Sequence, residues 1–189
     1  MRSGLRARVV TVASAVALTL GMSGTATAGA PAPPPRAEGA AAAEVTVQQV
    51  TLRLSSDPGQ VANVKGASTA NGAEVIQWPW SGAANERWEP EPADFGYFRF
   101  KSVNSGLCLN IEGASNDNGA RAIQWTCGTD HNEQWQLVPK GRGYQIVARH
   151  SGKCLNVAGG VGQGNGLIQW PCAADGADND VWLPVWEQV

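Results

Sequence analysis

Charge is the first thing this chain has little of. Only 16% of its 189 residues are charged, and the formal net charge is −2. Lys and Arg form no cluster, which leaves nucleic acid and anionic membranes without the basic surface they require. Histidine is rarer still. His131 and His150 are the only two, and no Ser, Cys or acid stands at a motif spacing to either, so acid–base or nucleophilic catalysis finds no constellation. Glycoside hydrolysis needs two positioned carboxylates, and no such pair stands out. Long apolar runs are missing: the run from Val9 to Leu20 is too short to span a bilayer as a helix. No Cys-x-x-Cys occurs and the cysteine spacings are long, so a structural zinc site is not expected. Helix-period patterning is weak, while short Val/Ile/Phe/Tyr runs alternate with Gly, Asn and Ser, as in all-β chains.

The first 28 residues read as a signal peptide. Met1 to Arg8 is basic, Val9 to Leu20 is apolar, and Ala26-Thr27-Ala28 is a small-x-small cleavage site. Secretion with a cut near Ala28 is the expectation, and no cysteine near the cut suggests a lipid anchor. Residues 29–45 are rich in Ala and Pro (Pro31, Pro33, Pro34, Pro35) and read as a disordered linker. Residues 46–189 have the length of one domain.

That domain is a threefold repeat. Gln77-Trp78 is followed by Asn85-Glu86-Arg87-Trp88, Gln124-Trp125 by Asn132-Glu133-Gln134-Trp135, and Gln169-Trp170 by Asn179-Asp180-Val181-Trp182. Trp88, Trp135 and Trp182 recur at steps of 47 and 47 residues, and Trp78, Trp125 and Trp170 at 47 and 45. Copies of about 46 residues, near 46–92, 93–139 and 140–189, predict a closed threefold β architecture. Within each copy a Gly-anchored segment (Asn63, Asn110 or Asn156 near its end) leads to an Asn-Gly pair: Asn71-Gly72, Asn118-Gly119 and Asn165-Gly166. Such pairs supply tight turns. Strands are expected over Val50–Leu54, Tyr97–Val103 and Tyr144–Ala148 before these segments. A last strand carrying Trp186 must pair back to the start.

Four cysteines in an exported chain imply disulfides, and four allow three pairings. The repeat selects one, because each pair occupies the same two positions of its own copy: Cys108–Cys127 and Cys154–Cys172. Each closes a loop of about 20 residues, worth roughly 3 kcal/mol in the chain-entropy view. The first copy has Val61 and Trp80 at those positions, so it loses both partners together.

The set Cys-Leu-Asn-Ile/Val, Asn-Gly, Gln-Trp-x-Cys and Asn-acid-x-Trp resembles the ricin B-type lectin family, a β-trefoil grouped with carbohydrate-binding modules. The resemblance covers residues 46–189. It implies a non-catalytic monomer without cofactor or metal, whose partners are glycans or polysaccharides. It also implies one shallow sugar pocket per copy: Asn63, Trp78 and Asn85; Asn110, Trp125 and Asn132; Asn156, Trp170 and Asn179. The Trp would stack on the apolar face of a sugar, and the asparagines would bond its hydroxyls. The chain departs from the family pattern at three positions. Asn63, Asn110 and Asn156 stand where the family has an acid, which loses charge-assisted bonds about twice as strong as neutral ones. Ile76, Ile123 and Ile168 stand where sugar-binding members often have Gln. Glu86, Glu133 and Asp180 replace the Gln of the Gln-x-Trp box.

The residues leave an alternative open. Residues two apart on a strand share a face, so Ile123, Trp125 and Cys127 point the same way. If that face is buried, the tryptophans are core and Gln77, Gln124 and Gln169 face outward. Asn63, Asn110 and Asn156 could equally bond their own loop backbone, and Asn85, Asn132 and Asn179 could be turn residues. A β-trefoil that acts by protein contact, as an inhibitor-like module, is the second functional reading, and a small secreted hydrolase the third.

Overall fold

The computed structural model describes residues 48–187. The signal peptide and linker expected over 1–45 lie outside the described residues. The first copy contains β1 (Gln49–Leu54), β2 (Gln60–Val64), β3 (Val75–Pro79) and β4 (Trp88–Pro92). The second contains β5 (Phe98–Ser102), β6 (Cys108–Ile111), β7 (Ala122–Trp125) and β8 (Trp135–Lys140). The third contains β9 (Gly143–Ala148), β10 (Cys154–Val157), β11 (Leu167–Trp170) and β12 (Trp182–Glu187). Among the described residues there is no α-helix, only short 3-10 turns.

Six strands form a closed antiparallel ring: β1 pairs with β4, β4 with β5, β5 with β8, β8 with β9, β9 with β12, and β12 with β1. Val50 lies opposite Trp186, so the last strand returns to the first. Closure leaves no unpaired edge in the barrel. The other six strands make three hairpins: β2–β3, β6–β7 and β10–β11. Each hairpin touches the next through one bridge: Glu74 to Ile123, Arg121 to Ile168, and Gly166 to Ile76. A six-stranded barrel capped by three mutually bridged hairpins is a β-trefoil.

The repeated second tryptophans carry the core. Trp88, Trp135 and Trp182 are completely buried, and each indole Nε1–H donates to a hairpin carbonyl of its own copy: Ala62, Leu109 and Leu155. One side chain thus fills the interior and ties barrel to hairpin, with its polar handle satisfied. Leu52, Leu54, Phe100, Leu109, Ile146 and Leu155 pack around them.

The disulfides join Cys108 to Cys127 and Cys154 to Cys172. In the first copy the Arg53 guanidinium lies over the Trp80 ring, 4.7 Å from its centroid. β5 is shorter than the expected Tyr97–Val103, running from Phe98 to Ser102.

The third turn glycine is also shifted. Gly72, Gly119 and Gly164 have φ values of 82°, 84° and 85°. Their N–H groups donate to the carbonyls of Gln124, Gln169 and Gln77. The counterpart of Gly72 and Gly119 is therefore Gly164, and the alignment on Asn165-Gly166 is corrected. The cause is loop length: Cys108 to Gly119 is 11 residues, whereas Cys154 to Gly164 is 10.

Candidate functional site

The faces of the hairpins decide what each repeated residue can do. In the second copy Leu109 lies opposite Gln124, and Asn110 opposite Ile123. Leu109 belongs to the core, so its face is the inner one. The alternate face carries Cys108, Asn110, Ile123 and Trp125; the first three are buried outside the main core cluster, and Trp125 is exposed. Ile123 and Trp125 share the face of Cys108, to which Cys127 is bonded, as their parity predicts, yet that face lies outside the main core cluster. Trp78, Trp125 and Trp170 keep 40%, 47% and 46% of their surface exposed.

The glutamines turn inward instead. Gln77, Gln124 and Gln169 are buried, and each binds the loop of a neighbouring copy. Gln124 Nε2 donates to the carbonyls of Ser68 and Ala70, and its Oε1 accepts from Ser105 Oγ. Gln169 repeats this with Ser115, Asp117 and Ser151. In the first copy Pro58 replaces the serine, and Gln77 bonds the Gln60 side chain and the Gly162 N–H. An outward, ligand-touching glutamine is thereby corrected: buried amides must be paired, and the pairing loops come from the preceding copy.

Each exposed tryptophan has a small floor. A Cβ added to Gly72 would meet Trp125 at 3.8 Å, one on Gly119 would meet Trp170 at 3.9 Å, and one on Gly164 would meet Trp78 at 3.8 Å. Every indole therefore rests against the preceding copy's turn glycine and keeps somewhat less than half of its surface in solvent.

Three concave sites result, one per copy. The first holds Asn63, Trp78 and Asn85 in about 460 Å³. The second holds Asn110, Trp125 and Asn132 in about 990 Å³. The third holds Asn156, Trp170 and Asn179 in about 430 Å³. All nine sequence-predicted residues line a concavity, three in each.

The asparagines within a site bind each other. The Nδ2 groups of Asn85, Asn132 and Asn179 donate to Oδ1 of Asn63, Asn110 and Asn156 at 3.2, 2.9 and 2.8 Å. The same groups donate to the carbonyls of Val64, Ile111 and Val157. The backbone bonds belong to Asn85, Asn132 and Asn179; Asn63, Asn110 and Asn156 bond side chains rather than their own loop backbone, and all six line the site walls.

The box acids organise the adjoining loops. Glu86 accepts the N–H groups of Ser81, Gly82 and Ala83 and the amide of Asn63. Asp180, one methylene shorter, accepts Ala173 N, Ala177 N and Gln145 Nε2. Glu133 accepts the Gly128 N–H at 2.7 Å.

Burial pushes the Glu133 carboxyl above the usual range, a rise that the Gly128 N–H and the Arg99 charge only partly oppose. Because its value is higher folded than unfolded, its contribution to stability is full below the unfolded value and is lost as pH rises through the folded one. Glu133→Gln removes that loss. The variant is expected to melt higher than the wild type at pH 7, with the two converging below about pH 4, as thermal melts at both pH values will show.

Sequence reasoning missed the three-residue turns after the asparagine strands of the first two copies, Lys65–Ala67 and Glu112–Ala114, which line the first and second sites. Their signal was the glycine two residues beyond Val64 and Ile111, at φ 64° and 62°. It also missed Thr126, Asp130 and His131 around the second site. Among the described residues no group of three His, Cys, Asp or Glu side chains is arranged to hold a metal ion.

A sequence model described as the ricin-type beta-trefoil lectin domain-like family matches residues 42–125, 92–170 and 131–186. The chain belongs to that family. The match falls in three overlapping pieces, as the repeat requires. Among solved structures, a designed threefold-symmetric protein, ThreeFoil, is 36% identical with a TM-score of 0.69, over 72% of this chain and 97% of the design. An exo-beta-1,3-galactanase from Clostridium thermocellum is 28% identical with a TM-score of 0.67, over 75% of this chain. This chain spans only 30% of that enzyme. The Rhizoctonia solani agglutinin, 18% identical with a TM-score of 0.66 over 78% of this chain and all of the agglutinin, shares the fold. No curated protein sequence matches the chain significantly.

Proposed function

We propose that this is a secreted, non-catalytic carbohydrate-binding protein that holds glycans at its three repeated sites. One observation carries the reading. Trp78, Trp125 and Trp170 keep 40–47% exposure while the equally repeated Trp88, Trp135 and Trp182 are fully buried. A large apolar face left in water beside paired amides matches a pyranose, which has one C–H face and a rim of hydroxyls. In each site the indole is the platform, and Asn63 with Asn85, Asn110 with Asn132, or Asn156 with Asn179 bond the hydroxyls. Family membership and neighbours named as an agglutinin and a galactanase point the same way. Export through the signal peptide, cut near Ala28, and a linker over 29–45 accord with two disulfides, which persist in oxidising compartments.

The sites are open, so single-site affinity is expected between about millimolar and tens of micromolar. Three sites on one body raise avidity for a multivalent glycan. A glycan array and polysaccharide pull-down on the full chain test the proposal. If galactosides, xylan and cell-wall polymers all pass unretained, the carbohydrate reading fails. Trp125→Ala is expected to weaken binding at the second site at least about tenfold, while its melting temperature stays close to that of the wild type. A variant that unfolds would return Trp125 to the core.

A further inference from the structure

The three sites are built from one repeat but are not equivalent, and the differences collect on the second. Its concavity, about 990 Å³, is more than twice the 430 and 460 Å³ of the others. Ordinary small-molecule pockets run from about 300 to 1,000 Å³, so the second site stands at the top of that range and the others near the bottom.

Aligned positions explain the contrast. Thr126, after the exposed tryptophan, is Pro79 in the first copy and Pro171 in the third. Its N–H and hydroxyl are held by Asn71 of the neighbouring copy. Asp130-His131 is Ala83-Ala84 in the first copy and Ala177-Asp178 in the third. His150, donated to this site by the third copy, aligns with Asn104 and Asp57. Its Nε2 lies 3.0 Å from the Ser115 carbonyl, which fixes the proton on that nitrogen. Nδ1 is buried and has no partner among the described residues.

The carboxylates of this site divide by what they already bind. Glu112 is held by two bonds from Arg121, and Glu133 accepts the Gly128 N–H. Asp130 is exposed and caps no turn with its side chain. It makes no ion pair among the described residues. It is therefore a free charged acceptor in a cleft that has an exposed indole and a wall of neutral amides.

We propose that the second site is the principal glycan site, that it takes an oligosaccharide rather than a single ring, and that Asp130 supplies the charged acceptor for its hydroxyls. The inference rests on the carbohydrate reading. Asn110 has only a neutral amide to offer, and a carboxylate makes bonds about twice as strong. Asp130 restores that strength from a different loop, and only in the copy where the cleft is wide. The stacked ring sits on Trp125, and a second ring extends toward His131 and His150.

The full chain, labelled with 5-fluorotryptophan, resolves the platforms by fluorine NMR once Trp78, Trp125 and Trp170 are assigned by single Trp→Phe variants. The probes are galactose, xylose, glucose and N-acetylglucosamine, with their β-linked di- and trisaccharides. For the sugar that binds, the Trp125 signal is expected to move at a concentration at least about fivefold lower than Trp78 or Trp170, with a further gain from mono- to disaccharide at Trp125 alone. Asp130→Asn should raise the Trp125 midpoint about tenfold without changing the melting temperature. Ala83→Asp should lower the Trp78 midpoint. If the three signals move together, or Asp130→Asn leaves the Trp125 midpoint unchanged, the inference falls and the carbohydrate reading survives. If no platform signal moves with any probe, both fall.

Discussion

Trp135→Ala is expected to cost about 3–5 kcal/mol of folding stability, the range for truncating a fully buried tryptophan. The indole is completely buried, and its Nε1–H donates to the Leu109 carbonyl at 3.0 Å. Alanine removes the ring from the core and also leaves a buried carbonyl without its donor, which adds a desolvation cost. Closure of the barrel leaves little room for neighbours to collapse, because Trp135 lies opposite both Ala148 and Phe98 in the ring. A native domain has about 5–15 kcal/mol in all, so a large part of the cooperative transition is at stake. Urea unfolding followed by fluorescence measures it. A midpoint within about 1 kcal/mol of the wild type would remove Trp135 from the scaffold. Trp125, ten residues earlier in the same copy, should show the opposite profile, with binding lost and stability kept. The pair of variants separates the two repeated tryptophans by function.

Gln124→Ala is expected to cost about 2–3 kcal/mol. Its amide is completely buried and makes three bonds, at 2.9, 2.9 and 2.7 Å, to Ser68 O, Ala70 O and Ser105 Oγ. Removing it leaves two carbonyls of the first copy without a donor and takes the acceptor from the Ser105 hydroxyl, which still receives the Leu107 N–H. These groups lie on the seam between copies, so the loss falls on docking of one repeat against the next. Gln169→Ala should behave alike, through Ser115, Asp117 and Ser151. Gln77→Ala should cost less, since Gln77 makes two bonds, one of them 3.2 Å long to the Gln60 side chain. Guanidinium melts of the three variants test the order. A Gln77 variant as damaged as the Gln124 variant would show that burial alone, rather than the loop bonds, sets the cost.

Much of the fold could be read from spacing. The 47-residue recurrence of Trp88, Trp135 and Trp182 marks three equivalent core positions, and it also pairs the cysteines within their copies. Copy-to-copy comparison failed where loop lengths differ. The third copy places its turn on Gly164 because its loop is one residue shorter, and a dipeptide match to Asn165-Gly166 cannot register that. The candidate site was legible in part. Asn63, Asn110, Asn156 and their partners could be picked by position, but their mutual bonds across more than 20 residues could not. Asp130 and His150 gave no repeated signal, because what sets them apart is that the other copies lack them.

The sequence by itself determined the threefold count, the β class, the disulfide partners and the division of tryptophans into two repeated sets. Period and composition are properties of the chain, and they survive without knowledge of contacts. It also determined that Ile123, Trp125 and Cys127 share a face. Only the tertiary structure decided which face that is. A strand's alternation specifies two sides, and which side is buried depends on what closes over it. Here the neighbouring copy's loop closes over Gln124, whose amide it satisfies, while Trp125, beside that copy's turn glycine, keeps 47% of its surface exposed. The glutamine is therefore interior and the tryptophan stays in solvent, and that reversal is what leaves each repeat with an open aromatic platform.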